Sequence, residues 1–322
     1  MIDIRQSLTV AALLSAFVGC SKTESGPDGF PEDRVIRVTT EVGAMTRGYH
    51  TTENLTDFDL AVAGMGNARY SYDNTRFTRN ADGTWSPVSQ MLWESAGAYV
   101  DIFAFAPSNP SAQFRPGAQT PIYVSVQEVQ TGTDNTSDVL YWGKTGFLPK
   151  DELVDGKISI EFRHVMSKLN LTVRMGTELN NEGLLAVNPI SDVKISGTSL
   201  SAQCGWGNTY SYDALTLYPD AGTVKDITPY QTEWKPAGNK EQNSTVGYEC
   251  ILVPQSIGAG TFAVSFKAGD KAYLWTLPSQ LTLEKNTVYT LTLQVGKDIV
   301  VAGEITAMPW DTTQDPQDIF TD

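Results

Sequence analysis

Histidine is nearly absent from this 322-residue chain, with two copies, and cysteine is scarce, with three. Hydrolases built on a nucleophile and an imidazole base need those residues grouped within a motif. His50 stands alone in a loop, and His164 lies between two strand-like runs in Phe162-Arg163-His164 with no Gly-x-Ser-x-Gly companion. His164 therefore reads as a hydrogen-bonded structural residue. Zinc requires three or four clustered His, Cys or carboxylate ligands, and none cluster, so neither a metal nor a cofactor is expected. Asp134 to Asp138 offers oxygen ligands but lacks the glycine and distal glutamate of a calcium loop, and reads as a solvated turn. There is no phosphate-cradling glycine loop. A glycosidase needs only two well-placed carboxylates, and with 37 acidic residues that chemistry stays open. Positive charge is short as well: 23 Lys and Arg leave a net charge of −14, which repels nucleic acid and anionic lipid. Helical periodicity is missing too. Glu178 to Val187 comes nearest, and Gly183 and Pro189 spoil it.

What is present is β-sheet. Phe58 to Val62, Tyr99 to Phe105, Pro121 to Val129, Lys157 to Phe162, Lys168 to Met175, Val193 to Ile195, Tyr248 to Val253, Phe262 to Phe266, Tyr273 to Leu277, Val288 to Val295 and Ile299 to Ile305 read as short strands. Gly/Pro punctuation separates them, which predicts an all-β protein of sandwiches or barrels. The length suits two sandwiches in tandem, with the joint near Glu161. The 41% hydrophobic content supplies sizeable cores. Cys204 and Cys250 fit a disulfide, which an exported protein permits, and equally fit buried free thiols. The seven tryptophans and thirteen tyrosines could build a glycan-stacking platform, but most aromatics at strand positions read as core.

The N-terminus has its own grammar. Leu8 to Val18 is an apolar run of eleven, too short to cross a bilayer and suited to the core of a secretory signal. It ends in Phe17-Val18-Gly19-Cys20-Ser21, which resembles a bacterial lipoprotein signal with Cys20 as the acylated residue. Ser21 to Arg34 is a polar tether with Gly26, Pro27, Gly29 and Pro31. Val35 to Val42 alternates, with Ile36, Val38, Thr40 and Val42 on one face. Gly43-Ala44-Met45-Thr46-Arg47-Gly48 follows, with small residues around one arginine, the kind of joint that proteases nick.

Taken in order, several segments resemble the fimbrillin-like proteins of Bacteroides and related bacteria, subunits of protease-assembled fimbriae. They are the signal ending at Cys20; Met45-Thr46-Arg47; Trp93 with Val100 to Pro107; Asp138-Val139-Leu140-Tyr141; Phe162 to Leu169; Leu252-Val253-Pro254-Gln255; Tyr289 with Leu291 and Leu293; and Ile305 with Trp310. Asn286 stands where such sequences often carry glycine, and asparagine also tolerates a left-handed turn. The resemblance implies two tandem transthyretin-like β-sandwich domains, here 48–160 and 161–322. A signal peptide, 1–19, and a tether with a removable first strand, 20–47, precede them. It implies a surface-exposed, outer-membrane lipoprotein rather than an enzyme. An arginine-specific protease would cut between Arg47 and Gly48, and other fimbrial subunits would be partners by strand exchange. The alternative is a monomeric outer-membrane lipoprotein that binds glycans. For the donor strand, Ile299 to Ile305 has the right alternation, with Ile299, Val301 and Ile305 on one face. The tail Thr312 to Asp322 carries Pro316 and three aspartates and makes a poor donor. Trp310 reads as a plug that holds the preceding strand in its own domain, which favours a tip position.

Overall fold

A computed structural model describes residues 29–43, 50–64, 68–109, 122–132, 136–180, 183–207, 209–297, 299–303 and 305–310. The chain runs as β1 (Val38–Val42), β2 (Asp57–Gly64), β3 (Tyr72–Arg79), β4 (Trp85–Pro87), β5 (Val100–Ala106), β6 (Ile122–Ser125), β7 (Leu140–Phe147) and β8 (Ile158–His164). It continues as β9 (Ser167–Met175), β10 (Ile190–Ser199), β11 (Ser201–Trp206), β12 (Leu215–Pro219), β13 (Val224–Ile227), β14 (Tyr230–Lys235) and β15 (Thr245–Leu252). The last strands are β16 (Ser256–Ile257), β17 (Ala263–Ala268), β18 (Lys271–Thr276), β19 (Leu281–Thr282), β20 (Thr287–Val295), β21 (Val300–Ala302) and β22 (Thr306–Pro309). The protein is all-β, as its alternating sequence predicts.

One sheet has the order β1-β8-β7-β5-β2-β3-β4. It curls until its ends meet. The Trp85 indole on β4 donates to the Thr40 hydroxyl on β1 at 3.1 Å. Just before β1, Ile36 N–H donates to the Met91 carbonyl at 2.9 Å, and Trp93 N–H donates to the Arg34 carbonyl at 2.8 Å. The enclosed core holds Ile36, Val38, Leu55, Phe58, Phe77, Trp93 and Phe162 among others. Phe58 stacks on Phe77 and meets Trp85 and Phe162 edge-on, the arrangement that aromatic quadrupoles favour.

A second core is built from a six-stranded sheet, β14-β15-β9-β20-β21 with β22 also on β20, and from β13-β10-β17-β18 and β12-β11-β6. Its central ladder is the parallel pairing of β9 with β20, from Ser167↔Thr287 to Met175↔Val295. Ala61, Phe103, Phe105 and Tyr141 join this core from the first sheet, while their neighbours Leu60, Ile102, Ala104 and Leu140 point into the first core. Strands buried on both faces read as near-continuous apolar runs. That accounts for Val100 to Ala106, where six of seven residues are buried. Glu161, the sequence-based joint, lies inside β8, and β6 pairs with β11 rather than with the first sheet.

Cys204 and Cys250 are not joined; both are free and buried. Burial pushes the Cys204 thiol up to about 12 and also raises that of Cys250. Because the thiolate is the reactive form, neither should react with a disulfide reagent at neutral pH in the folded chain begun at Ser21. Both should react once the chain is unfolded. A fast-reacting thiol in the folded protein would contradict this placement.

The return strand near the C-terminus departs from the sequence reading. Between the pairs Leu293↔Ala302 and Thr290↔Thr306 the returning chain advances four residues while β20 advances three. One extra residue therefore falls between Ala302 and Thr306, and it inverts which side chains face inward. Ile299 and Val301 therefore face solvent, at 64% and 55% exposure, whereas Ile305 packs on the core. The expected common apolar face of Ile299, Val301 and Ile305 does not form.

Candidate functional site

β1 is an end strand that fills core positions. Its alternation turns Ile36, Val38 and Val42 inward, and they are buried, while Thr39 and Glu41 are exposed. β-branched residues at every second position suit this half-buried geometry. Among the described residues its ladder is with β8 alone, parallel, from Val38↔Ile158 to Val42↔Phe162. Side chains add ties: Val42 N–H donates to the Thr52 hydroxyl at 3.0 Å. Outside, Arg37 pairs with Asp33 at 2.5 Å, and that hydrogen bond holds the Asp33 carboxyl at about 2. Both groups are substantially exposed, so the pair adds little stability.

Cys20, Arg47 and Gly48 lie outside the described residues. Beyond the joint the described chain resumes at His50, which is buried, and whose N–H donates to Asp138 Oδ2 at 3.0 Å. The other oxygen, Asp138 Oδ1, lies 2.7 Å from His164 Nδ1. The Trp310 ring stacks on His164 with centroids 4.1 Å apart and planes 5° off parallel. The Trp310 N–H donates to the Asn286 carbonyl at 2.8 Å, and the Asn286 N–H donates to the Met166 carbonyl at 3.0 Å. Asn286 has φ 55°, the left-handed turn that its side chain tolerates. The Tyr212 hydroxyl donates to the His164 carbonyl at 2.6 Å.

This cluster ties together the chain after the joint, the turn before β7, the end of β8 and the end of β22. His164 and Asp138 are fully buried and Trp310 nearly so. Burial by itself would push the Asp138 carboxyl up, but the charge and hydrogen bond of His164, with help from His50, hold it below the ordinary value. Asp138 is thus no part of a solvated turn, contrary to the sequence reading, and its oxygens are committed to the histidines. Among the described residues nothing hydrogen-bonds His164 Nε2. A sealed cluster of this kind can clamp segments but gives a substrate no approach. Among the described residues no three His, Cys, Asp or Glu side chains gather as a metal site. The sequence singled out His164 and Trp310 but missed Asp138 as their hub. Its one signal was the position of Asp138 just before the apolar Val139-Leu140-Tyr141.

No curated protein matches the sequence. The sequence profile described as fimbrillin-like matches residues 38–310. Among solved structures, a candidate cell adhesion protein from Bacteroides uniformis superposes with a TM-score of 0.57 at 16% identity, covering 87% of this chain and 99% of that one. A second, from Bacteroides ovatus, gives 0.57 at 14% identity over 87% and 99%. A fimbrial protein from Bacteroides vulgatus gives 0.51 at 15% identity over 86% and 99%. At these identities the likeness is one of fold.

Proposed function

The chain belongs to the fimbrillin-like family, and from that premise we propose that it is a structural and adhesive subunit of a bacterial surface fimbria. In this reading it is exported as a lipoprotein acylated at Cys20 and held at the outer membrane until processing. An arginine-specific protease then cuts between Arg47 and Gly48, and a strand from a neighbouring subunit replaces β1. The two apolar cores are the basis for assigning two sandwiches, with the boundary near β8.

The observation that carries the reading is the position of β1. Among the described residues it is an end strand whose ladder runs along β8 alone, and its inward side chains complete a core. A strand of like pattern could take its place, re-form the backbone bonds with β8 and refill the same pockets. Each buried side chain contributes about 1.5–3 kcal/mol, so a cut at the joint leaves β1 seated until another strand displaces it. The return strand 299–310 pairs along β20 and ends in the buried Trp310. That supports a subunit that accepts a strand and does not give one, as a tip subunit does.

The test is uptake of a labelled peptide with the sequence of Val35 to Val42. After arginine-specific cleavage the wild-type chain should exchange its own first strand for an excess of the peptide. Arg47→Ala should remain uncut, keep residues 20–47 and take up none, with an unchanged circular dichroism spectrum. Equal uptake by both proteins, or assembled material that still carries Val35 to Val42, would end the strand-exchange reading.

A further inference from the structure

The sheet β12-β11-β6 turns one face to the second core, where Val124, Ala202 and Cys204 are buried, and the other to solvent. Gln203 on β11 is directly opposite Tyr123 on β6 and Tyr218 on β12. The three side chains therefore form one row across the outer face. Strands lie about 4.8 Å apart, which sets the two tyrosine positions roughly 10 Å from each other with the amide between them. Tyr123 is 51% exposed and Tyr218 58%, whereas Tyr141, Tyr212, Tyr248 and Tyr289 are buried.

The Tyr218 ring is set against Gly205. A Cβ there would come within 2.7 Å of the ring's Cε2 atom and 3.6 Å from both Cδ2 and Cζ, so the ring turns its Cε2 edge to the glycine and neither of its faces. Gly205 is needed for that close approach. The period of two puts Ser125, Ser201 and Thr216 on the same outer face. None of the 15 residues in these three strands is charged, in a chain with 60 charged residues among its 322.

We propose that this face binds a neutral carbohydrate. The C–H face of a pyranose ring is weakly positive and stacks on the negative face of an aromatic ring. The Gln203 amide, placed between two such rings, can both donate to and accept from sugar hydroxyls. The uncharged face suits an uncharged ligand, and the net charge of −14 works against acidic polysaccharides. A protein partner fits less well, because the centre of a protein interface is its apolar part and the centre here is an amide. The inference builds on the adhesive part of the proposed function and is independent of assembly.

The test is affinity electrophoresis of the uncut, unassembled chain begun at Ser21. The gels contain laminarin, xyloglucan, galactomannan, arabinoxylan or dextran, with heparin and polygalacturonate as acidic controls. At least one neutral polysaccharide should retard the protein. Tyr123→Ala and Tyr218→Ala should each weaken retention about tenfold, the double variant should abolish it, and Gly205→Val should weaken it by lifting the Tyr218 ring. Both tyrosines are exposed, so the variants should melt as the wild type does. Retardation by none of the neutral polysaccharides, retention by the acidic ones only, or equal retention of the double variant would overturn the proposal. So would a self-association in sedimentation that the double variant loses, since the face would then join copies of the chain. None of these outcomes bears on strand exchange, which the peptide experiment tests separately.

Discussion

Asp138→Asn is expected to cost the folded protein about 1.5–3 kcal/mol, the usual worth of a hydrogen bond to a charged group, here the buried carboxylate that faces His164 Nδ1 and accepts from the His50 N–H. The asparagine keeps the shape but takes away the charge that faces His164, and it leaves a buried imidazole with a weaker acceptor. The pH dependence gives a second readout. The folded chain holds the Asp138 carboxylate ionised to lower pH than the unfolded chain, whose ordinary value is 3.8. Its contribution is therefore complete above that value and is lost as pH falls through the lower folded one. Urea unfolding followed from neutral pH down to acid should show a steep decline for the wild type and a shallower one for Asp138→Asn. Parallel curves would show that Asp138 is not ionised in the folded state.

Trp310→Ala is the other large effect. Truncating a buried tryptophan typically costs about 3–5 kcal/mol, because the neighbours fill the space only in part. Here the loss also uncovers His164, against which the indole stacks at 4.1 Å. It should loosen β22 as well, since the backbone bond from Trp310 to Asn286 closes that strand. Hydrogen exchange at Ala307 and Met308 should accelerate relative to β9 and β15. If the plug is what keeps the return strand from donating, Trp310→Ala should also gain the ability to enter a cleaved acceptor, where the wild type does not. A stable variant with unchanged exchange would remove Trp310 from that role.

How much of this was legible in the chain varies from strand to strand. β1, β8, β9 and β20 announce themselves, because side chains that alternate in and out of a core leave a local pattern in the sequence. β14 does not: its exposed residues are Tyr, Gln, Thr, Glu and Lys, five of its six, and backbone pairing with β15 makes it a strand. β7 is hidden by Gly143 and Gly146. Gly143 is there because the Tyr210 carbonyl and the Tyr141 hydroxyl occupy the space a side chain would need. β3 looks like a loop because its outward residues are Asp, Arg and Thr, although Phe77 on its other face is fully buried.

The sequence by itself determined the all-β class and the inward face of the first strand. Each of these rests on residues within a few positions of one another, and alternation and turn chemistry are local. Tertiary structure alone decided that β1 lies along β8, more than a hundred residues away. It alone decided that an extra residue between Ala302 and Thr306 sets Ile299 and Val301 on the opposite face from Ile305, and that a carboxylate between two histidines is sealed under Trp310. Two tyrosines indistinguishable in sequence from core aromatics were likewise left facing water. Those outcomes depend on which distant segments share a surface, and on whether water or protein occupies the other side. No local pattern carries that information.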